Sequence, residues 1–134
     1  MSAGRERHEW VRYRPRDFLE APGSFGRRPD ARWLAVPDAL RSLLAGAWLQ
    51  HQASLGVHFE LSSRRGGVAG LARALGKQSD YLRRKLNGER WANIRDIAAW
   101  ALELGPGIMP VPRSPDDLLP PPEFTARADD AGRP

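Results

Sequence analysis

Gly67-Val-Ala-Gly-Leu-Ala-Arg-Ala-Leu-Gly-Lys-Gln-Ser-Asp-Tyr-Leu-Arg-Arg-Lys-Leu-Asn-Gly88 is the stretch whose reading decides the fold. It reads as two short helices broken by one glycine. The first carries Leu71, Ala72 and Leu75. The second carries Leu82 and Leu86, four apart and therefore on one face. Gly76 sits where the chain must turn sharply, and glycine takes φ > 0 there without a Cβ clash. Ser79 is the expected N-cap of the second helix, its hydroxyl accepting from amides of the next turn.

Projected at about 100° per residue, Leu82 and Leu86 point one way. Ser79, Asp80, Arg83, Arg84 and Asn87 fill an arc on another side. A short helix that is apolar behind and rich in Arg, Ser and Asn in front suits the major groove of DNA.

Working outward, residues 37–50 read as a first helix. Pro37 suits its first position and Asp38 the positive end of its dipole. Leu40, Leu43, Leu44, Ala47 and Trp48 supply the apolar stripe. Residues 51–66 are open. Val57-His-Phe-Glu-Leu61 alternates like a short strand, or the helix runs on to about Leu55. A basic loop, 62–67, follows. Its Arg64 and Arg65 either touch phosphate or are simply solvated. On the other side, Asn87-Gly88 is a helix stop, and Asn93 is the expected cap of a fourth helix ending near Leu104. Ile94, Ile97, Ala98, Ala101 and Leu102 form its expected core stripe. Trp100 and Leu104 fall to one side, where they meet the N-terminal aromatics or a second copy.

Both flanks differ in composition from this middle. Residues 1–35 hold eight arginines against five acids, together with Trp10, Tyr13, Phe18, Phe25 and Trp33. Proline and glycine break any long helix there. One reading is a basic arm that follows the DNA backbone or enters a minor groove; the other is a partly ordered wrap around a small core. Residues 106–134 contain eight prolines and a net charge of −2, which suggests a flexible tail. Ile108 to Val111 and Leu118-Leu119 are its candidates for local docking. The expected organisation is thus a basic, aromatic extension (1–35), an all-α domain of four to five helices (36–105) and a Pro-rich tail (106–134).

The 134 residues include no cysteine, which removes disulfides, zinc-thiolate sites and a Cys nucleophile. No apolar run approaches the ~20 residues of a membrane span, and no signal-peptide core is evident. The expected location is cytoplasmic, with the nucleoid. The net charge is +5, and 19 of the 21 basic residues are arginine. Guanidinium forks favour phosphate and base recognition, although a GC-rich genome yields the same bias. Position is more telling. Residues 64–96 hold nine basic side chains against three acids, so the positive charge gathers around the central helices.

The spacing resembles the helix-turn-helix of the Cro/phage-repressor (XRE-like) family. That pattern has a small residue in its first helix, matched by Ala72, and a turn glycine four later, matched by Gly76. An apolar residue follows six beyond, matched by Leu82, with an Asn-Gly pair closing the second helix at Asn87-Gly88. Trp91 stands for the apolar residue of the next loop. The likeness covers residues 67–105. It departs from the family at Gly67, where glutamine often opens the pair, at a long approach of ten or more residues from the first helix, and at Lys85, often apolar. The resemblance implies a compact Cro-like domain and a sequence-specific transcriptional regulator of double-stranded DNA, acting as a homodimer. Base edges would meet Gln78, Ser79, Arg83 and Arg84. Lys77, Tyr81, Asn87 and Arg90, with Arg64 and Arg65, would hold phosphate.

Catalytic chemistry has little support. His8, His51 and His58 lack companions for a metal site. No phosphate-cradling Gly-rich loop is present, and Asp116-Asp117 sits among prolines without rigid support. No enzyme activity and no cofactor are expected. Two rival functions remain: a protein-interaction adaptor, antitoxin or antirepressor using the N-terminal aromatics or the Pro-rich tail, and a non-specific architectural or replication-accessory DNA binder.

Overall fold

The computed structural model describes residues 13–126. Among them the chain is mostly helical: α1 (Arg41–Leu61), α2 (Gly67–Ala74), α3 (Ser79–Leu86) and α4 (Ile94–Leu104), with short 3-10 turns in both flanks. β-structure in this range is limited to isolated bridges at Trp33, antiparallel to Leu19 and parallel to Thr125.

α1 runs 21 residues, and most of its circumference is covered. Leu44, Ala47, Gln50, His51, Ala53, Ser54, Val57 and Leu61 are all buried. A helix with neighbours on several sides shows no single apolar stripe. That is why Val57-His-Phe-Glu-Leu61 imitates a strand. It is helical instead: Val57 and Leu61 lie four apart on the buried side, while Phe59 stands 77% exposed. Because α1 reaches Leu61, the approach to α2 is only residues 62–66, shorter than the ten or more expected. The start also differs. Pro37 caps a 3-10 turn, Asp38–Leu40, and the α-helix begins at Arg41.

Two core clusters share α1. The first joins Ala53, Val57 and Leu61 to Leu71 and Ala72 of α2, Leu82 and Leu86 of α3, Trp100 and Leu104 of α4, and Ile108. The second joins Leu40, Leu44 and Ala47 to Phe18, Leu19, Phe25, Ala31 and Trp33, with Tyr13, Trp48, Trp91, Leu119 and Phe124 packed around them. Both flanks thus enter the body. Trp33 N–H donates to the Phe124 carbonyl at 2.7 Å, and its own carbonyl accepts from Ala126 N–H at 2.8 Å. Residues 106–126 are anchored at Ile108, Leu119, Pro120 and Phe124, whereas 111–118 between them stay exposed. Proline fixes φ in advance, so a proline-rich segment gives up little backbone entropy when it settles into 3-10 turns. Residues 127–134, and 1–12 with Trp10 and His8, lie outside the described residues.

α4 is turned from its expected phase. Trp100 and Leu104 are the buried residues, with Ile97 and Ala101 beside them, whereas Ile94 is 76% and Leu102 90% exposed. The indole ring has more apolar area to bury than isoleucine or leucine, and the helix is rotated to cover it. Trp100 and Leu104 sit in the first cluster, apart from the described N-terminal aromatics of the second.

Candidate nucleic-acid interface

The turns at each end of α3 follow one pattern. After α2, Gly76 adopts φ 68°. Its N–H reaches the Arg73 carbonyl at 3.1 Å, and the Lys77 N–H reaches Ala72 at 2.9 Å. After α3, Gly88 adopts φ 73°, its N–H reaching Lys85 at 3.2 Å and Glu89 N–H reaching Arg84 at 2.9 Å. These are paired Schellman closures, and both need a residue at positive φ. α3 is therefore cut to eight residues, Ser79–Leu86. Its start differs from the sequence expectation. Gln78 occupies the N-cap with extended backbone, no side chain caps the helix, and Ser79 is its first helical residue. The first-turn amides are consequently left without a side-chain partner, and the positive end of the helix dipole is uncapped there.

Leu82 and Leu86 hold the rear of α3 in the first core cluster. Gln50, buried on α1, secures its end. The Gln50 Nε2 donates to the Lys85 carbonyl at 2.8 Å and the Arg90 carbonyl at 3.0 Å, and its Oε1 accepts from Ala92 N–H at 2.8 Å. The N-terminal segment braces the same turn. Arg16 N–H donates to the Gly88 carbonyl at 3.0 Å, and the Trp91 Nε1 donates to the Tyr13 carbonyl at 2.8 Å. Phe25 lies directly against Gly88, where an added Cβ would come within 2.6 Å of its ring.

The front of α3 is open. Lys77, Gln78, Ser79, Tyr81, Arg83, Arg84 and Arg90 are exposed, and Asn87 is half-buried at the C-cap. Asp80 lies among them. It pairs with Arg83 and with Arg84, the latter with Nε to Oδ2 at 3.0 Å. The hydrogen bond from Arg83, then the charges of Arg84, Arg83 and Arg90, hold its carboxyl below the usual range despite slight desolvation. Two of the four expected base-contacting side chains are thus prearranged by one carboxylate. Two ammonium groups approach the Tyr81 ring, Lys77 at 5.5 Å and Lys85 at 4.2 Å from its centroid.

Lys85 does not reach out to solvent. Its ammonium turns inward to the Tyr81 hydroxyl and to Asp96 of α4, both at 2.6 Å. Burial disfavours its charge, but the bonds to Asp96 and Tyr81 outweigh that and raise its pKa. Asp96 also closes a reciprocal cap with Asn93, as expected of that residue. Arg64 and Arg65 do not join the α3 group; they line a separate cleft with Gly67, Gly70, Glu103 and Leu104.

Asp80, Gln50 and Asp96 had no assigned role in the sequence reading. The spacing of Asp80 to Arg83 and Arg84, three and four residues along a helix, was the available signal. Gln50 had none, because its partners are main-chain atoms far along the chain. The burial of Phe18, Phe25, Trp33 and Trp100 means that substituting Trp33 or Trp100 reports on folding rather than on a docking surface. No group of three or more His, Asp or Glu side chains able to hold a metal occurs among the described residues, and no described helix is long and apolar enough to cross a membrane. Searches of family models, curated proteins and solved structures found no match to the chain.

Proposed function

We propose that α2 and α3 form a Cro-like helix-turn-helix, and that the protein is a sequence-specific double-stranded DNA-binding regulator reading the major groove with α3. The observation that supports this most is the construction of α3. Eight residues are closed at both ends by glycine turns and pinned from behind by Leu82, Leu86 and Gln50, with Gln78, Ser79, Arg83 and Arg84 all turned to solvent. Rigid support beneath a polar, arginine-rich face is what base readout requires. Lys77, Tyr81, Asn87 and Arg90 flank it as phosphate contacts.

Asp80 favours base reading over a purely non-specific grip. A carboxylate at the centre of the face repels phosphate, yet it orients two guanidinium groups whose forks match guanine edges. An adaptor role without DNA has weaker support, because the described N-terminal aromatics other than Tyr13 are committed to the core. Selection of bound sequences from random duplex DNA tests the proposal. A defined site should emerge, and affinity should fall steeply with salt. Arg83→Ala should cost about 1–3 kcal/mol and relax one base pair. A Gln78/Arg83 double variant that selects the same sequences with unchanged affinity would sink the reading.

A further inference from the structure

Lys85 is the one basic side chain of α3 that is buried. It stands where the helix-turn-helices this chain resembles are often apolar. Its ammonium donates to the Tyr81 hydroxyl and to Asp96 Oδ2, both at 2.6 Å. Asp96 is anchored in turn. Its Oδ2 accepts from Asn93 N–H at 2.8 Å, and its own N–H donates to Asn93 Oδ1 at 2.9 Å. A single line of hydrogen bonds thus runs from the cap of α4, through Asp96 and Lys85, to a hydroxyl on α3.

An ammonium has three donors and no acceptor, whereas a phenol has one proton and two lone pairs. Tyr81 is therefore the acceptor in its bond with Lys85, and its own proton is turned elsewhere. Among the described residues no acceptor meets that proton. Tyr81 is 38% exposed, so the proton is offered to solvent. Hydrogen bonds in a chain polarise one another, and a hydroxyl that accepts from a cation is a stronger donor. Position and charge name its partner. At about 100° per residue, Tyr81 falls roughly 60° from outward Arg84 and roughly 40° from inward Lys85. It stands on the flank of α3, not at the centre of the outer face. In a groove, a flank side chain meets the sugar-phosphate wall before the base edges on the floor. The ammonium groups of Lys77 and Lys85 close to the ring favour an anionic oxygen there.

We infer that Lys85 and Asp96 are positioning residues, holding the Tyr81 hydroxyl as a fixed donor to a phosphate oxygen of the duplex. This role presupposes that α3 enters the major groove, and it gives α4, which carries no base contact, a part in setting the register of α3 on the backbone. An apolar side chain at 85 would fill the same space and leave the hydroxyl free to rotate.

Duplex titrations of the full chain, on selected and scrambled sequences across a salt series, test this. Tyr81→Phe keeps the ring and loses only the hydroxyl. It should bind about tenfold more weakly on both duplexes, with an unchanged salt slope because a neutral donor displaces no counterion. Asp96→Asn separates positioning from charge. Removing a carboxylate near the duplex would by itself tighten binding, whereas breaking the line to Tyr81 should weaken it about fivefold, and that loss should vanish in the Tyr81→Phe background. Lys85→Met, which keeps the buried stem, should repeat the pattern without touching the cap of α4. A Tyr81→Phe variant with wild-type affinity overturns the inference. So does an Asp96→Asn variant that binds more tightly than the wild type, or losses from Asp96→Asn and Lys85→Met that are equal with and without the hydroxyl. A Tyr81→Phe loss confined to the selected duplex overturns it too, because the hydroxyl would then lie on a base edge. A protein that binds no duplex sinks the DNA-reading proposal itself; a binder indifferent to the hydroxyl removes only the role given to Lys85 and Asp96.

Discussion

α1 has a different kind of neighbour at each end. Along Ala53–Leu61 it meets three helices, and the apolar residues there recur at helical spacing. Along Leu44–Ala47 it meets loops: Phe18, Phe25 and Trp33 from one flank, Leu119 and Phe124 from the other, delivered by 3-10 turns and isolated bridges. The first core holds α3 from behind. The second core holds the turn that ends α3, through Phe25 beneath Gly88 and Arg16 on its carbonyl. A recognition-type face can therefore depend as much on irregular chain as on the helices that define it. One helix passing through both cores should bind them into a single cooperative unit.

The strongest test of that unity is Trp33→Ala. Trp33 is 1% exposed and links both flanks, so its loss should cost about 3–5 kcal/mol. Urea unfolding followed by far-ultraviolet circular dichroism and by tryptophan fluorescence should still give one coincident transition. Two separated transitions would show that the second core melts alone.

Acid should act through two histidines, His51 in the second core and the half-buried His58 of α1. His51 is fully buried against Phe25, Trp33 and Trp48, and its Nδ1 accepts from Gly26 N–H at 2.8 Å. Burial lowers its pKa from 6.5 to about 4. The unfolded chain takes up that proton first as pH falls. The contribution of neutral His51 is thus complete above pH 6.5 and is lost between 6.5 and about 4, amounting to about 3 kcal/mol. His58 is shifted the same way by burial and by Arg27. Unfolding free energies at pH 7, 5.5 and 4.5 should decline accordingly. His51→Asn, which retains an acceptor for Gly26, should flatten the slope; an unchanged slope would take the acid sensitivity away from this residue.

Gly88→Ala probes the seam between the two cores. The new Cβ would lie 2.6–2.9 Å from three ring atoms of Phe25, at φ 73°. Overpacking and positive φ together should cost about 2 kcal/mol. Phe25→Leu in the same chain should recover part of the loss, and a double-mutant cycle measures the coupling. Strict additivity would mean that the flank does not brace α3.

The smallest expected change in stability is at Asp80. It is exposed, so Asp80→Ala should shift the unfolding free energy by less than about 0.5 kcal/mol. Binding should respond differently. With Arg83 and Arg84 released from their carboxylate, affinity for arbitrary duplex should rise while discrimination among sequences falls. Competition titrations with selected and scrambled duplexes would record both, and unchanged discrimination would leave Asp80 without a role in readout.

The first core was legible because its information is local. Leu71, Ala72, Leu82 and Leu86 recur with helical period, Gly76 and Gly88 mark the turns, and Asn93 announces a cap. The second core carries no period. Its aromatics are separated by Pro15, Pro22 and Pro29, and what each ring touches is settled only when residues about ninety apart, such as Trp33 and Phe124, come together. The same reason hid Gln50. A glutamine in a helix is ordinary until its partners are known. Trp100 was misplaced for a smaller reason: with apolar residues on most sides of α4, phase is set by which side chain has the most area to bury.

Gln50 has one more consequence. Its three hydrogen bonds all end on main-chain atoms, at Lys85, Arg90 and Ala92. The closures at Gly76 and Gly88 are likewise backbone to backbone. The frame that grips α3 is therefore blind to the outward side chains at 78, 79, 83 and 84. Those four positions can be rewritten, by natural drift or by a library, without renegotiating the scaffold. The helix behaves as an exchangeable cartridge in a fixed socket, and a new code could be loaded there while the rest of the molecule stays as it is.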